Sequence, residues 1–414
     1  MRVWIVNCYT SIPDEVANPR YVQFAKHFMA KGWEVIIFNA DYGRKGEIPL
    51  FNRQQYGAYC YVHVRAPHYE GNGFGRMFSI WKFAWNIYRH AGEFDRPDVI
   101  LHNVHAPFDF PVVWAASKLK AKYVSEVWDL WPDNFANFGM VSRKSLTMRI
   151  SYRIERWIYE HADQLVFTIS GALDYLKKKR WTTDTGGKID MQRVHYVNNG
   201  IDLEQFDKDK EAYPRYDEDI NRKDCFKVIY LGTLNNTNHV QTLIDAAEIL
   251  KNDERYQFFI YGDGIHRQLL EQDVAARQIC NVHFKEKHIP LCECAWVVSQ
   301  ATVNVMTYER GFGYMGVSSG KLFQYLAAGK PIICNVKIAY DDVITDHNLG
   351  IARDLLLPED FADAIKTIAE QPKDSYHAMC ERVRNTATRF DYKYLAAQEM
   401  AIIKACFDPP QHNK

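Results

Sequence analysis

Short apolar runs rich in β-branched residues alternate with segments of helical length along the whole chain. In residues 240–251, for example, Val240, Leu243, Ile244 and Ala247 recur at intervals of three and four, which is helical spacing. This alternation predicts parallel sheets covered by helices. We predict strands at 3–8, 35–38, 59–64, 99–102, 123–127, 165–169 and 194–197, and again at 228–231, 258–261, 282–284, 302–305, 331–334 and 350–352.

The length of 414 residues suits two domains. Residues 207–224 are polar, contain Pro214 and lack apolar periodicity, so we predict that they link the domains. A further periodic run at 395–407 follows the second set of strands, and we expect it to pack back on the first domain. The predicted domains are therefore 1–206 with 390–414, and 207–389, each an α/β unit with a Rossmann-like, doubly wound parallel sheet.

Composition favours a folded protein of the cytoplasm. Hydrophobic residues make up 47% and charged residues 25% of the chain, which are ordinary globular values. The nine cysteines are odd in number and lack paired spacing, as expected for thiols in a reducing compartment. Cys292 and Cys294 form a close pair without a second ligand pair, so we predict no metal site. No apolar stretch approaches the roughly 18 residues of a membrane span.

The turns that follow the strands are where open parallel sheets bind ligands. After the strand at 302–305, a helix begins behind Ser318, Ser319 and Gly320, so its backbone N–H groups favour an anion, and Lys321 adds a positive charge. This pattern predicts a phosphate site. The alternative is that Ser318 caps the helix and that the lysine is solvated.

Two glycine-containing turns, 230–234 and 261–264, fall where strands of the second half meet helices. Each by itself is a tight turn. Together with the loop at 318–321, they are expected to surround one crevice.

In the first half, the turn at 126–134 brings Glu126, Asp129 and Asp133 to the end of a strand. Carboxylates at this position could orient a substrate hydroxyl or stabilise developing positive charge, or they could cap the following helix. The ring of Trp128 could stack on a ligand but cannot transfer a proton. His105, after another strand, is a second candidate, although a structural role is favoured for it and for His102.

The charges suggest a membrane-facing surface. Residues 1–200 hold 26 Lys and Arg against 19 Asp and Glu, and residues 201–414 hold 25 against 32, so the halves carry +7 and −7. The segment 74–90 is aromatic and basic without an acid, and 143–180 holds nine basic against four acidic residues. Such segments suit an anionic lipid interface. A buried helix with snorkelling basic side chains is equally compatible.

The order of the turns 197–202, 232–234, 261–264, 281–284 and 321–331 resembles the retaining family 4 glycosyltransferases of GT-B fold. Nearly the whole chain is covered. The segments 126–132 and 318–322 are similar to those of the branch that builds bacterial surface polysaccharides, in particular fucosaminyltransferases of O-antigen and capsule pathways. The resemblance implies two Rossmann-like domains that face each other across a crevice.

The resemblance further implies that the second domain holds a UDP-linked sugar, with the base near 284–287 and the phosphates at 318–321. Thr233 and Asn238 stand where the family usually has Arg and Lys, and Gly316 and Gln324 replace its two glutamates, so Lys321 is expected to supply the phosphate-binding cation. The implied donor-binding residues are Gly232, Thr233, Asn238, Lys287, Ser318, Ser319, Gly320, Lys321 and Gln324.

On the acceptor side, the resemblance assigns Asp129 and Glu126 as catalytic residues and Trp128, Asp133 and His105 as acceptor contacts. The expected activity is that of a hexosyltransferase acting with retention on a lipid-linked or glycan acceptor, without metal or cofactor. The expected partners are the nucleotide sugar, the acceptor and an anionic membrane, and no nucleic acid. Alternatives are a UDP-amino-sugar isomerase of GT-B fold and a non-catalytic subunit that binds nucleotide sugars.

Overall fold

The computed structural model describes residues 1–13, 20–43, 49–71, 73–137, 141–311 and 314–408. The contacts within the chain divide it into two compact units. The first unit comprises Met1–Asn198 and the described part of Tyr392–Lys414, and the second comprises Asn199–Asp391. Each unit contains one mainly parallel sheet covered by helices, which confirms the predicted fold class.

The first unit contains every strand predicted in residues 1–200 and one that was not predicted. Its strands are β1 (Arg2–Val6), β2 (Glu34–Asp41), β3 (Phe51–Tyr56), β4 (Tyr59–Arg65), β5 (Val99–Asn103), β6 (Lys122–Val127), β7 (Gln164–Phe167) and β8 (Val194–Tyr196). In the described residues the order across the sheet is β3-β4-β2-β1-β5-β6-β7-β8. All pairs are parallel except β3 with β4.

Strand β3 was missed because its sequence contains no apolar run. Four consecutive polar residues, 52–55, form most of it, and three of them are exposed. The strand forms an edge of the sheet and pairs with β4 through a tight turn at Gly57, whose φ of +57° is readily adopted by glycine.

The helices of the first unit lie between these strands in sequence. They are α1 (Arg20–Ala30), α2 (Phe74–His90), α3 (Pro111–Leu119), α4 (Trp131–Asn137), α5 (Leu146–Glu160) and α6 (Ala172–Lys178). Helix α2 coincides with the acid-free aromatic segment identified in the sequence.

The second unit contains all six strands predicted beyond residue 200. These are β9 (Phe226–Leu231), β10 (Tyr256–Tyr261), β11 (Val282–Phe284), β12 (Val303–Met306), β13 (Ile332–Cys334) and β14 (Gly350–Ala352), in the order β11-β10-β9-β12-β13-β14. All described pairs are parallel. The helices are α7 (Leu203–Ala212), α8 (Glu218–Asn221), α9 (Gln241–Ile249), α10 (Arg267–Ala276), α11 (Leu291–Ser299), α12 (Gly320–Ala328), α13 (Val343–Asp346), α14 (Pro358–Ala369) and α15 (Lys373–Ala387).

The segment expected to be a linker is a packed part of the second unit. Phe206 of α7 is buried in its core, and Ile220 of α8 is fully buried. Asp217 accepts a hydrogen bond from Lys285 at 3.0 Å, which fixes the start of α8. The second unit therefore begins at Asn199, before the predicted start at residue 207. A linker was predicted at 207–224 because these residues are mostly polar and bury only a few apolar side chains.

The chain returns to the first unit in helix α16 (Tyr392–Ala405). This helix packs on α1, where the rings of Tyr392 and Phe24 lie with their centroids 6.1 Å apart. Leu395 and Ile403 extend the contact into the core beside β1. Residues 409–414 lie outside the described residues.

All nine cysteines are free thiols. Within the described ranges, no group of His, Cys, Asp and Glu side chains is arranged to hold a metal ion. No described helix is long and apolar enough to cross a membrane.

Candidate active site

The loop before α12 presents a helix N-terminus to solvent in the second unit. Ser319 is the residue that precedes the helix, and its side chain makes no capping hydrogen bond. Gly320 is exposed, and a Cβ added to it would meet no atom within 4 Å. The Ser318 hydroxyl accepts a hydrogen bond from Asn199 Nδ2 at 3.0 Å and does not cap the helix. The first turn of α12 is thus open to an anion.

Lys321 lies in a polar and aromatic pocket formed by residues from three elements. Its Nζ donates to Asn238 Oδ1 at 2.7 Å and to the Tyr230 hydroxyl at 3.2 Å. The same atom lies 4.7 Å from the ring centroid of Tyr230 and 5.2 Å from that of Tyr308. No described carboxylate forms an ion pair with it. Loss of hydration lowers the pKa of Lys321 to about 7, an effect that the Cys334 thiol partly opposes.

Asn238 is held in place by the turn that follows β9. Asn235 Oδ1 accepts hydrogen bonds from the backbone N and the Nδ2 of Asn238, both at 3.0 Å. The Thr307 hydroxyl donates to the Asn238 carbonyl. These bonds leave the amide oxygen of Asn238 directed at Lys321. Two residues predicted from separate parts of the sequence therefore meet in one site.

The glycines of the two predicted turns allow backbones to pack against each other. A Cβ on Gly262 would lie 1.9 Å from the Gly232 carbonyl oxygen, and one on Gly264 would lie 2.2 Å from that of Leu234. Gly232 lies beside Lys321, because a Cβ there would lie 3.2 Å from Nζ. Side chains at these glycines would displace the loop that carries Asn238 and the lysine contact.

The remaining predicted donor residues differ in how they are placed. Gln324, one turn after Gly320, has a buried amide oxygen without a hydrogen-bond partner in the described part of the chain. A buried oxygen of this kind is suited to accept a hydrogen bond from a ligand hydroxyl. Thr233 and Lys287 are exposed, and no described contact connects either side chain with Lys321.

In the first unit, Glu126 lies in the core and is not available to a substrate. Its Oε1 accepts from Arg20 Nε at 2.8 Å, and both side chains are fully buried. Trp128 donates from its ring nitrogen to Glu126 Oε2 at 3.1 Å, and its ring stacks on Tyr21 with centroids 5.1 Å apart. Full burial leaves Glu126 without access to a substrate, contrary to its expected catalytic role, whereas Trp128 is half-buried and its expected contact with the acceptor stays a prediction.

Asp133 also belongs to a structural network. It is buried, accepts a hydrogen bond from the Tyr152 hydroxyl, and forms ion pairs with Lys179 at 3.4 Å and with Arg143 at 3.5 Å. These contacts join α4 to α5 and α6. A carboxylate neutralised in this way holds the helices together, which corrects its expected role as an acceptor contact.

Asp129 and His105 remain as candidates at the carboxyl ends of β5 and β6. Asp129 is exposed, yet the surrounding protein removes part of its hydration and raises its pKa, while His105 and Arg76 partly oppose the rise. The rings of Tyr9 and Trp131 pack edge-on against His105, with centroids 5.1 and 5.2 Å from it. His105 and Arg76 thus lie close enough to Asp129 for their charges to lower its pKa.

The orientation of His105 depends on Asp109, which the sequence gave no reason to select. Asp109 Oδ2 lies 3.2 Å from His105 Nδ1 and 3.2 Å from His102 Nε2. Burial opposes ionisation of Asp109, but the two histidines hold its pKa well below the ordinary value. His102 is also bonded to Tyr123 and is therefore structural, as favoured from the sequence. His105 Nε2 has no bonding partner in the described residues and can face a ligand.

Arg76 was part of the aromatic segment but was not selected as a site residue. Its Nε donates to the Tyr9 hydroxyl at 2.8 Å, and its guanidinium lies 5.0 Å from the ring centroid of Trp131. The sequence gave no signal for this role, because Tyr9 and Trp131 are far from Arg76 along the chain. Tyr230, in β9, and Tyr308, just after β12, were missed because buried tyrosines in or beside a strand look like core residues.

Two family models match successive parts of the chain. Residues 20–205 match the model described as glycosyltransferase family 4, and residues 225–371 match glycosyl transferases group 1. Among curated proteins, a probable glycosyltransferase, WbjE of Pseudomonas aeruginosa, is 24% identical over 266 residues. That alignment spans 63% of this chain and 62% of the relative, so it covers less than two thirds of the relative's length.

Solved structures share the fold at low sequence identity. Anabaena HepE in complex with UDP-glucose aligns with a TM-score of 0.66 and 13% identity over 98% of this chain and 100% of that one. WaaG, a glycosyltransferase involved in lipopolysaccharide biosynthesis, aligns with a TM-score of 0.68 and 16% identity over 97% and 99%. The chain therefore has the GT-B fold, and a region that matches the glycosyltransferase family 4 model precedes one that matches the model of glycosyl transferases group 1.

Proposed function

We propose that this glycosyltransferase transfers a hexosyl group from a UDP-linked sugar to a lipid-linked or glycan acceptor in the biosynthesis of a surface polysaccharide. The observation that carries the proposal is the environment of Lys321, a half-buried cation without a described carboxylate partner at the open N-terminus of α12. HepE, which shares the fold, has been crystallised in complex with UDP-glucose. WaaG, which also shares the fold, is involved in lipopolysaccharide biosynthesis, and this supports the proposed class of pathway.

The second unit would hold the donor. Lys321 and the N–H groups of Gly320 and Lys321 would bind the diphosphate, and the amide oxygen of Gln324 would accept a hydrogen bond from a ribose hydroxyl. During transfer, the bond between the anomeric carbon and the phosphate oxygen breaks, and its electron pair stays on that oxygen. Fixed positive charge at this position stabilises the departing diphosphate, so the reaction as proposed requires no metal.

The first unit would bind the acceptor. The hydroxyl oxygen of the acceptor forms the new bond to the anomeric carbon, and the hydroxyl proton passes to the leaving phosphate oxygen, with retention of configuration. Asp129 would orient this hydroxyl, and His105 would accept a second hydrogen bond through Nε2, because Asp109 holds the opposite ring nitrogen.

We also propose that the first unit contacts the cytoplasmic face of an anionic membrane. An aromatic face joins α2 and α3, with rings in contact from Phe78 through Trp81 and Trp85 to Tyr88 and Trp114, at centroid distances of 5.5 to 5.8 Å. Phe78 is 54% exposed. Aromatic side chains beside lysine and arginine suit the interfacial region of a bilayer.

Helix α5 presents a second surface of the same kind. Leu146 is 70% and Ile150 is 46% exposed, and the two residues stand one turn apart. Arg149 and Arg153 are exposed on the same helix. Exposed aliphatic side chains among arginines are what an anionic bilayer surface would bury.

A titration with nucleotides and a turnover assay test the proposed reaction. We expect UDP and a UDP-sugar to bind and uridine to bind weakly, and we expect release of UDP from the sugar nucleotide only when an acceptor is present. Conversion of the donor without acceptor would indicate an isomerase. Binding of donor without any turnover, across acceptors drawn from lipid-linked and soluble glycans, would indicate a binding subunit.

A further inference from the structure

Arg76 extends from the first turn of α2 and lies between two aromatic rings. Its Nε donates to the Tyr9 hydroxyl at 2.8 Å, and its guanidinium carbon lies 5.1 Å from the ring centroid of Tyr9 and 5.0 Å from that of Trp131. Tyr9 follows β1, and Trp131 begins α4, the helix after β6. The side chain of Arg76 therefore reaches the carboxyl ends of the strands, where open parallel sheets bind ligands.

The charge of Arg76 does not stabilise the helix that carries it. Arg76 is the third residue of α2, and a helix dipole disfavours a cation in the first turn. This turn contains no acidic side chain, and Gly73, the residue before the helix, provides no side-chain cap. The contacts of Arg76 beyond α2 are therefore the better explanation for a cation at this position.

The two rings that hold Arg76 also hold His105, and Asp129 joins them through the start of α4. The ring centroid of His105 lies 5.1 Å from that of Tyr9 and 5.2 Å from that of Trp131. The backbone N of Trp131 donates to the Asp129 carbonyl at 3.0 Å, which closes a tight turn between them. Loss of hydration raises the pKa of Asp129, and the charges of His105 and Arg76 oppose the rise. Arg76 is thus a cation from α2 that acts on the carboxylate at the end of β6.

Other titratable groups surround Arg76 and Asp129. They are His105 and Asp109 on the side of Asp129, and Tyr9, Tyr69 and Cys8 beside Arg76. Asp109 is already ionised where Asp129 titrates, because two histidines hold its pKa well below the ordinary value. Phenols and thiols are neutral where a carboxylate titrates. Arginine keeps its charge throughout this range, so Arg76 provides a constant positive charge beside Asp129.

The charge of Asp129 decides how it can bind an acceptor. A carboxylate accepts hydrogen bonds from hydroxyl groups and donates none, whereas a protonated carboxyl group also donates one. Only the ionised form therefore fixes the direction in which an acceptor hydroxyl points. A nearby opposite charge favours that form.

We propose that Arg76 is a positioning residue of the acceptor site: its guanidinium, held between Tyr9 and Trp131, provides the counter-charge for the Asp129 carboxylate that orients the acceptor hydroxyl. This inference rests on the proposed function, because it acts through the role given there to Asp129. Without Arg76, the partly dehydrated carboxyl group takes up a proton at a higher pH. The enzyme then loses the form that orients the hydroxyl, while the donor site in the second unit is unaffected.

NMR titration of the Asp129 carboxyl group tests the proposal on the protein alone. Protein labelled with ¹³C-aspartate is titrated from acid to neutral pH, and the resonance of Asp129 is assigned by its absence in Asp129→Asn. We expect Arg76→Met to raise the titration midpoint of Asp129 by about half a pH unit or more. Arg76→Lys keeps the charge and should reverse most of this shift. Arg89→Met removes an exposed arginine from the last turn of the same helix and should leave the midpoint unchanged.

The pH dependence of turnover tests the effect on the reaction, with the acceptor that supports UDP release in the assay of the proposed function. Arg76→Met should shift the acid limb of kcat to higher pH by the same amount as the carboxyl midpoint, and Arg76→Lys should restore it. The Kd of UDP should stay within twofold in both variants. Circular dichroism confirms that each variant is folded.

A midpoint that Arg76→Met leaves unchanged would overturn the inference, because Arg76 would then only join α2 to Trp131. A kcat that falls equally at every pH would overturn it as well, since that is the effect of lost packing. If the midpoint shifts but Asp129→Asn keeps full activity, the role of Asp129 in the proposed function is wrong, and this inference fails with it. The midpoint is measured without donor or acceptor, so its result is independent of UDP binding.

Discussion

The affinity for the donor should depend on pH through the protonation of Lys321. In the free protein, loss of hydration lowers the pKa of this lysine to about 7, so at pH 8 most molecules carry it uncharged. A bound diphosphate supplies the missing counter-charge and favours the protonated form. Binding is therefore coupled to uptake of a proton, and affinity must fall as the pH rises above the pKa of the free protein.

The size of the effect follows from that pKa. Above it, the dissociation constant rises about tenfold per pH unit until the lysine of the complex also loses its proton. Between pH 7.5 and 9.5 the terminal phosphate of UDP, with a second pKa near 6, stays ionised. Over this range we expect the Kd of UDP to rise roughly 25- to 80-fold, or about 2–2.6 kcal/mol at 1.36 kcal/mol per unit.

Calorimetry at several pH values, in buffers that differ in ionisation enthalpy, measures both the affinity and the protons taken up. Lys321→Arg should flatten the pH profile, because a guanidinium stays charged. Lys321→Met should weaken binding at pH 7.5 by about 1.5–3 kcal/mol and also remove the pH dependence. Lys330→Met changes a lysine just beyond the opposite end of α12 and is the matched control, for which no change is expected.

A pH-independent Kd in the wild type, with Lys321→Met binding UDP equally well, would refute the reasoning. It would show that the lysine contributes nothing to recognition of the diphosphate. An independent check is stability. The pKa of Lys321 is lower in the folded than in the unfolded state, so the buried charge lowers the free energy of unfolding at pH 7 and below. Lys321→Met should therefore raise the melting temperature in this pH range.

Three further predictions concern other parts of the molecule. Gln324→Glu should keep or improve UDP affinity, measured by calorimetry; a loss of tenfold or more would mean that its unpartnered oxygen does not face the ribose. Asp129→Asn should lower kcat at least tenfold while the Kd of UDP stays within twofold, and equal losses would indicate a folding defect. Burial raises the pKa of Glu399 to about 8, an effect that Glu126 reinforces and Arg20 opposes, so the free energy of unfolding should fall as the pH rises from about 4.5 to 8. Glu399→Gln should flatten this slope in denaturant titrations, and an unchanged slope would show that Glu399 is not its source.

The sheets could be predicted because most of their strands contain consecutive apolar residues, and the central strands, such as β1 and β10, are buried on both faces. The thirteen predicted strands share this apolar character, whereas β3, at an edge and polar, does not. The open N-terminus of α12 with its lysine was also predictable, since Ser319, Gly320 and Lys321 are adjacent in sequence and carry their chemistry in residue type alone.

The acceptor side could not be predicted as well, because burial decides the role of a carboxylate there. Glu126, Asp129 and Asp133 lie within eight positions of one another and look alike in sequence. Arg20, more than a hundred residues away, forms an ion pair with Glu126, and Lys179 forms one with Asp133. Only Asp129 is left exposed. Long-range ion pairs of this kind have no local signature.

A crystal structure of the protein with UDP would show whether the open N-terminus of α12 and Lys321 bind the diphosphate of the donor, as proposed. We predict density for the two phosphates at Gly320 and Lys321, with Lys321 Nζ within about 3 Å of a phosphate oxygen. Well-ordered UDP bound elsewhere, with the contacts of Lys321 to Asn238 and Tyr230 unchanged, would contradict the account.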